Sequence, residues 1–291
     1  MPTPIGMAAG FDKDCNVLKS LLNLGFGFVT GGTITLASRP GNPKPRVIRL
    51  PDQKALVNSM GFPGRGLEPA IKRLQRSQPY KNRIFVSIAG TIEDEIFDCF
   101  NRAQSLAGGI ELNISSPNTV GLRIFHETGR LRGLIEGLTA EKTVPLFVKL
   151  PPWSRDDDDR REILKLAETA IDAGVDGLIV ANTRPVESSR LKVGRGGLSG
   201  KPLFENTELM IADVQALVHD EIGIIACGGV STPTDVWKLI ASGASAVQLY
   251  TSFIYEGPGL PARLNKGLAK LMDAAGITTV EEISGTPPII K

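Results

Sequence analysis

The stretch Gly108-Gly-Ile-Glu-Leu-Asn-Ile-Ser-Ser-Pro-Asn-Thr-Val-Gly-Leu-Arg123 changes character at its middle. Ile110, Leu112 and Ile114 are apolar and strand-like, and the glycine pair ahead of them marks a turn. Ser115, Ser116, Pro117 and Asn118 then end the strand with small polar groups, and Pro117 holds Ser116 extended. An amphipathic segment, 131–138, comes next. The unit is a buried strand, a polar loop and a helix. Serine, proline and asparagine are ordinary turn residues, so turn chemistry accounts for much of the loop. Its polar groups have a second use. Asn113 and Asn118 flank the serine pair, each with two donors and an acceptor, and suit a planar ligand of alternating carbonyl and N–H groups.

The same unit repeats along the chain. Short apolar segments fall at 5–10, 26–32, 84–90, 110–115, 146–150, 177–182, 222–228 and 246–250. They lack polar alternation, so both faces are expected to be buried, as in parallel sheets. Between them lie helical patterns at 67–74, 92–107, 131–138, 163–173, 205–218, 234–241 and 261–275. A first helix carries Val17, Leu18, Leu21 and Leu22 on one face, with Asp14 as its expected cap. Asp156 to Asp159 set four carboxylates at the start of another, where they complement the helix dipole. Gly25, Gly174 and Gly243 stand where helices should stop.

Eight alternations without a linker predict an α/β protein, a closed (β/α)8 TIM barrel, with residues 1–291 forming a single domain. The pattern breaks at 33–83, which holds Thr33-Ile-Thr35, Pro40-Gly-Asn-Pro43 and Asn58-Ser-Met-Gly-Phe62. Loops of that length are usually functional, so 33–83 and 117–130 are expected to be active-site insertions.

Composition narrows the function. The chain has 291 residues, 42% hydrophobic and 22% charged, with a net charge of +2, which gives no reason to expect a nucleic-acid partner. Cys15, Cys99 and Cys227 are far apart and read as reduced thiols. His126 and His219 are the only histidines and have no metal-ligand spacing, so neither a metal site nor a Ser-His triad is expected. No apolar run approaches the roughly 20 residues that span a bilayer. No signal peptide is recognisable, and Pro4-Ile-Gly-Met-Ala-Ala-Gly10 already reads as a first strand. A cytoplasmic protein is expected. Peripheral attachment to a membrane is the alternative should an amino-terminal extension be missing, and a homo-oligomer stays open.

In a parallel barrel the ligand sits at the carboxyl ends of the strands. Those ends carry Gly10-Phe-Asp-Lys13, Gly31-Gly-Thr33, Ser87, Asn113 and Ser116, Lys149, Asn182-Thr183, Cys227-Gly-Gly229 and Tyr250-Thr-Ser252. The last two loops have the position of a phosphate cradle, in which Gly228 and Gly229 let backbone N–H groups approach a dianion and Thr251 adds a hydroxyl. Gly196-Gly-Leu-Ser-Gly200 is expected to be a glycine-rich loop closing over the same ligand. Lys13 and Lys149 at the mouth of a dry cavity suggest two anionic or electron-rich targets. Asp12 as an ion-pair partner of Lys13 is the competing account, although strand alternation points the two apart.

Ala8-Ala-Gly-Phe-Asp-Lys-Asp14, Asn58-Ser-Met-Gly-Phe62, Asn113-Ile-Ser-Ser-Pro-Asn118, Gly197-Leu-Ser-Gly200 and Gly228-Gly229 together resemble the dihydroorotate dehydrogenases, in order and over nearly the whole chain. The resemblance implies an FMN-containing barrel that oxidises dihydroorotate to orotate in pyrimidine (UMP) biosynthesis. By the same resemblance Ser116 is the base that removes the C5 proton while hydride passes from C6 to the flavin. Lys13, Asn58, Ser59, Met60, Gly61, Phe62, Asn113, Asn118, Asn182 and Thr183 match substrate-binding positions. Ala9, Gly10, Thr33, Ser87, Asn113, Lys149, Gly200, Gly228, Gly229, Tyr250 and Thr251 match cofactor positions. Thr119 and the 120–130 loop would form a lid over Ser116.

The wording Ser-Ser-Pro-Asn-Thr-x-Gly-Leu-Arg favours the serine-base branch that passes electrons to quinone. Ser87-Ile-Ala-Gly90 looks more like the soluble branch, whose base is normally cysteine, so a soluble enzyme with another acceptor is the alternative. Two rivals stand further off. A flavin barrel that reduces a base in tRNA predicts a basic groove and a cysteine acid, and this chain is near neutral with serine at 116. A non-catalytic phosphate-binding barrel requires the serine, lysines and asparagines all to be turn groups.

Overall fold

The computed structural model describes residues 1–115, 122–154, 156–218 and 222–286. Twelve strands form among them: β1 (Ile5–Asp12), β2 (Phe28–Ile34), β3 (Val47–Leu50), β4 (Ala55–Asn58), β5 (Ile84–Ile88), β6 (Gly109–Asn113), β7 (Leu146–Lys149), β8 (Gly177–Val180), β9 (Arg184–Glu187), β10 (Arg195–Gly200), β11 (Gly223–Cys227) and β12 (Ala246–Leu249). The helices are α1 (Leu18–Asn23), α2 (Leu67–Arg76), α3 (Glu93–Ala103), α4 (Thr128–Glu141), α5 (Asp157–Asp172), α6 (Phe204–Val218), α7 (Pro233–Ala241), α8 (Thr251–Glu256) and α9 (Leu260–Ala275). Strands β1, β2, β5, β6, β7, β8, β11 and β12 pair in parallel, each with its neighbour in that order, and β12 closes on β1. This is the expected (β/α)8 barrel.

Closure is decided at the amino-terminal end of the strands. There Phe28, Phe85 and Phe147 fill the barrel, with neighbouring ring centroids 5.4 Å apart. Each ring lies against a glycine. A Cβ on Gly6 would come within 2.4 Å of the Phe28 ring, one on Gly109 within 2.6 Å of Phe85, and one on Gly177 within 2.4 Å of Phe147. Large rings over absent side chains seal this end. A second and larger apolar layer joins the outer faces of the strands to the surrounding helices. The helices stop where the sequence predicts, on Gly25, Gly174 and Gly243, with φ of +106°, +88° and +116°.

Three expectations need correction. Asp14 does not cap α1; it accepts from the backbone N–H of Arg65 at 2.8 Å. Asp12, buried at the end of β1, takes that role by accepting from Asn16 N and Val17 N, both at 2.7 Å. Its carboxylate thus faces the helix start and not Lys13. Residues 33–83 are not simply a loop, because they contain β3 and β4. The glycine-rich segment 196–200 is not a loop either. It is β10, antiparallel to both β4 and β9 in a separate sheet of order β3-β4-β10-β9. Its glycines permit close approach: a Cβ on Gly196 would stand 2.5 Å from Asn58 O. The barrel strands are largely buried on both faces, as expected, but not by apolar residues alone. Ser87, Glu111, Lys149 and Gln248 come from β5, β6, β7 and β12 and are all buried.

Candidate active site

A cavity opens at the carboxyl ends of the barrel strands, with the small antiparallel sheet as its roof. Its empty space, counted out to the open mouth, is about 1450 Å³. The floor comes from Ala8, Ala9 and Gly10 of β1, and the walls from Thr33, Asn113, Lys149 and the segments after β8, β11 and β12. Three contacts fix the roof to the barrel. Thr251 Oγ1 donates to Ser199 Oγ at 2.8 Å, Tyr255 Oη donates to Ala55 O at 2.8 Å, and Lys54 Nζ pairs with Glu256 Oε1 at 2.7 Å.

Seventeen of the sequence-predicted site residues line this one cavity. They are Ala9, Gly10, Lys13, Thr33, Asn58, Met60, Gly61, Phe62, Asn113, Lys149, Asn182, Thr183, Gly200, Gly228, Gly229, Tyr250 and Thr251. Two do not line it. Ser59 is wholly buried, and its N–H donates to Arg46 O at 2.9 Å, so it supports the roof from behind. Ser87 sits a layer below Thr33, because strand alternation puts it on the barrel axis and Thr33 covers it. Ser116 and Asn118, like Thr119, lie outside the described residues, as does His219.

Polar groups from β2, β5, β6 and the segment after β8 form one connected network. Asn182 Nδ2 donates to Ser115 Oγ at 2.9 Å and to Asn113 Oδ1 at 3.4 Å. Ser115 N also donates to Asn113 Oδ1, at 3.2 Å. Asn113 Nδ2 in turn donates to Thr33 Oγ1 at 3.1 Å. Thr33 Oγ1 and Ser87 Oγ are 2.9 Å apart, and Ser87 Oγ donates to Glu111 Oε1 at 2.8 Å. Beside it, Lys149 Nζ stands 3.7 Å from Glu111 Oε1.

The electrostatics follow from burial. Lys13 donates to Gly10 O, and its pKa is lowered to about 8, chiefly because it is buried and then because the Arg46 charge is near. Burial alone would also lower Lys149, but the facing charges of Cys227 and Glu111 raise it above its ordinary value. Burial pushes the Cys227 thiol up. Burial likewise raises Tyr250. Glu111 and Gln248 are buried polar neighbours of the cavity that the strand-end reading missed. Period two could have found them, since Glu111 shares a strand face with Asn113, and Gln248 with Tyr250. Tyr255 and Glu256, one helical turn past Thr251, gave no sequence signal.

The cavity fits a flat anionic cofactor such as FMN. A Cβ on Gly10 would stand 3.5 Å from Lys13 Nζ and 3.8 Å from the Tyr250 ring, inside the floor the ligand would cover. Gly229, at φ +77°, and Gly228 bend the chain after β11 beside Thr251 and Ser252, as a phosphate cradle requires. Gln248 Oε1 and Ser252 Oγ are buried, line the cavity, and have no hydrogen-bond partner among the described residues. Among the described residues no group of three or more His, Cys, Asp or Glu could hold a metal ion, and no helix is long and apolar enough to cross a membrane.

Comparison with known proteins agrees over nearly the whole chain. A family model described as Dihydroorotate dehydrogenase matches residues 1–272. A protein of Erythrobacter litoralis named "Dihydroorotate dehydrogenase (quinone)" is 37% identical over 98% of this chain and 85% of its own length. One of the same name from Allorhizobium ampelinum is 38% identical over 97% of this chain and 82% of its own. The crystal structure of DHODH from Eimeria tenella in complex with ferulenol superposes with a TM-score of 0.87, at 34% identity, covering 97% of this chain and 85% of that one. With the barrel, the roof and the cavity already in place, matches of this length and identity make the chain a member of the dihydroorotate dehydrogenase family.

Proposed function

We propose that this protein oxidises dihydroorotate to orotate in pyrimidine biosynthesis, with FMN as its redox group and quinone as the final acceptor. The family and the printed names of its relatives support the reaction and the acceptor. The observation that carries the reading is the single cavity in which Lys13, Asn58, Asn113 and Asn182 share a wall with Lys149 and the Gly228-Gly229 turn. When bound, FMN supplies the hydride acceptor. Thr251, Gly228, Gly229 and Gly200 would hold its phosphate, and Thr33, Asn113 and Lys149 would hold the polar edge of its ring.

On the substrate, Lys13 meets the carboxylate, and Asn58, Asn113 and Asn182 read the amide edges. Met60, Gly61 and Phe62 cover it and exclude water. Ser116 is the base that takes the C5 proton. A lone serine is a poor base, so its task requires a route for the proton and stabilisation of the developing enolate, which Lys13 and the asparagines supply as fixed positive potential. We place the protein in the cytoplasm, with quinone reached at a membrane surface.

Ser116→Ala is expected to keep FMN bound and to slow anaerobic flavin reduction by dihydroorotate by about 10²–10⁴-fold, the usual contribution of a positioned base. Near wild-type reduction in a stopped-flow trace would remove Ser116 from that role. A steady-state panel with dihydroorotate as donor and quinone, fumarate, NAD or oxygen as acceptor should show quinone fastest. Preference for fumarate or NAD would instead place the protein in a soluble branch.

A further inference from the structure

Glu111 is the least expected residue in the barrel. Its side chain is 0% exposed and lies under Lys149, itself 6% exposed. Its Oε1 accepts from Ser87, while its Oε2 is buried without a hydrogen-bond partner among the described residues. A buried carboxylate is retained only against strong local compensation.

The network gives that compensation a direction. The backbone N–H of Ser115 can only donate, so the atom it reaches on Asn113 is the carbonyl oxygen. The Asn113 amide nitrogen therefore donates to Thr33 Oγ1. At the other end, a carboxylate paired with an ammonium can only accept, so the one hydroxyl proton of Ser87 points at Glu111. Ser87 must then accept from Thr33, and the Thr33 proton is committed to it. Read from either end, the chain runs one way: Asn113 to Thr33 to Ser87 to Glu111. Neither hydroxyl can turn, and Asn113 cannot flip.

We propose that Glu111 is a positioning residue for the cofactor end of the site: it pairs with Lys149 and terminates the hydrogen-bond chain that fixes the polarity of Thr33 and Asn113. This rests on the reading of the cavity as a flavin site. It adds that the charge presented to the flavin ring is that of a compensated pair and not of a bare lysine. The consequence is electrostatic. A compensated pair favours a negatively charged reduced ring less than Lys149 alone would.

The test is Glu111→Gln, which keeps the volume and a hydrogen-bonding group but removes the charge. With FMN bound, the midpoint potential of the flavin should rise, with reduced flavin gaining about tenfold in affinity over oxidised flavin, or about 30 mV for a two-electron couple. In a Lys149→Met background the same substitution should move the potential by less than a third as much, because the partner through which Glu111 acts is gone. An unchanged potential in Glu111→Gln, or an equal shift in the Lys149→Met background, overturns the proposal. If Glu111→Gln alone does not fold, the double variant is the test, since it removes both charges together. Recovery of folded protein then supports the pairing, and its failure overturns it. A purified wild-type protein that takes up no FMN would instead sink the functional reading, and is told apart by its missing flavin absorbance.

Discussion

Lys13 shows how one side chain carries both a structural penalty and a function. Burial and the nearby Arg46 lower its pKa from 10.5 to about 8. In the folded state its proton is lost near pH 8, and in the unfolded chain near 10.5. Between those values the unfolded state holds more protons, so this group makes folding more favourable as pH rises through the window, and its penalty is complete below it. Anion binding runs the opposite way. A carboxylate ligand selects the ammonium form, so orotate affinity should be flat from pH 6 to about 8 and then fall toward tenfold per pH unit. Lys13→Met should bind orotate weakly at every pH and lose that break. Isothermal titration of the oxidised holoenzyme across pH 6–10 is the check. A wild-type affinity independent of pH would mean the substrate carboxylate lies elsewhere.

The barrel strands were legible because each is a short, mostly apolar segment bounded by glycine or turn residues, as buried parallel strands are. The roof was not. In β10 glycine stands at 196, 197 and 200, composition that reads as a loop, and β9 exposes Arg184 and Pro185 and has no apolar face to signal it. What makes β10 a strand is pairing with β4, far away in sequence, and β9 then pairs with β10. Asp12 was missed for a similar reason: Asp14 is nearer the helix, but only the chain path at the end of β1 aims a carboxylate at Asn16 and Val17. Gly200 tests the roof. It sits at φ +102°, and a Cβ there would stand 2.4 Å from Lys54 O and 2.8 Å from Thr251 Cγ2. Gly200→Ala must push β10 off β4 or displace Thr251. We expect a loss of about 1–3 kcal/mol in urea unfolding, from the strained backbone, and at least a tenfold weaker FMN affinity by fluorescence titration. Stability and affinity both unchanged would show that the roof yields without disturbing the cradle.

Across the molecule, the residues of one cavity run from Ala8 to Glu256, and no short segment contains the site. Sequence reading could place many of them because they lie at the ends of recognisable barrel strands, which a barrel brings together, whereas Asn58, Met60, Gly61, Phe62 and Gly200 lie in segments that read as loops. It passed over Glu111 and Gln248, which lie inside the barrel, where the strands were expected to be apolar and only the period-two alternation marked them. The same layout couples the cofactor to the whole fold. FMN would touch the carboxyl ends of β1, β2, β6, β7, β11 and β12 together with β10, so it would bind only when barrel and roof are both formed. A ligand with no affinity for the unfolded chain, present at about 100 times its dissociation constant, stabilises by about 2.7 kcal/mol. For a chain of 291 residues that is a rise in Tm of roughly 4–5 °C. Calorimetry of apo protein with increasing FMN should therefore show one transition that moves upward as a unit. Two transitions with only the lower one moving would mean that the roof unfolds apart from the barrel and holds the cofactor on its own account. A single transition that does not move would mean that no part of the cavity recognises FMN in the folded state.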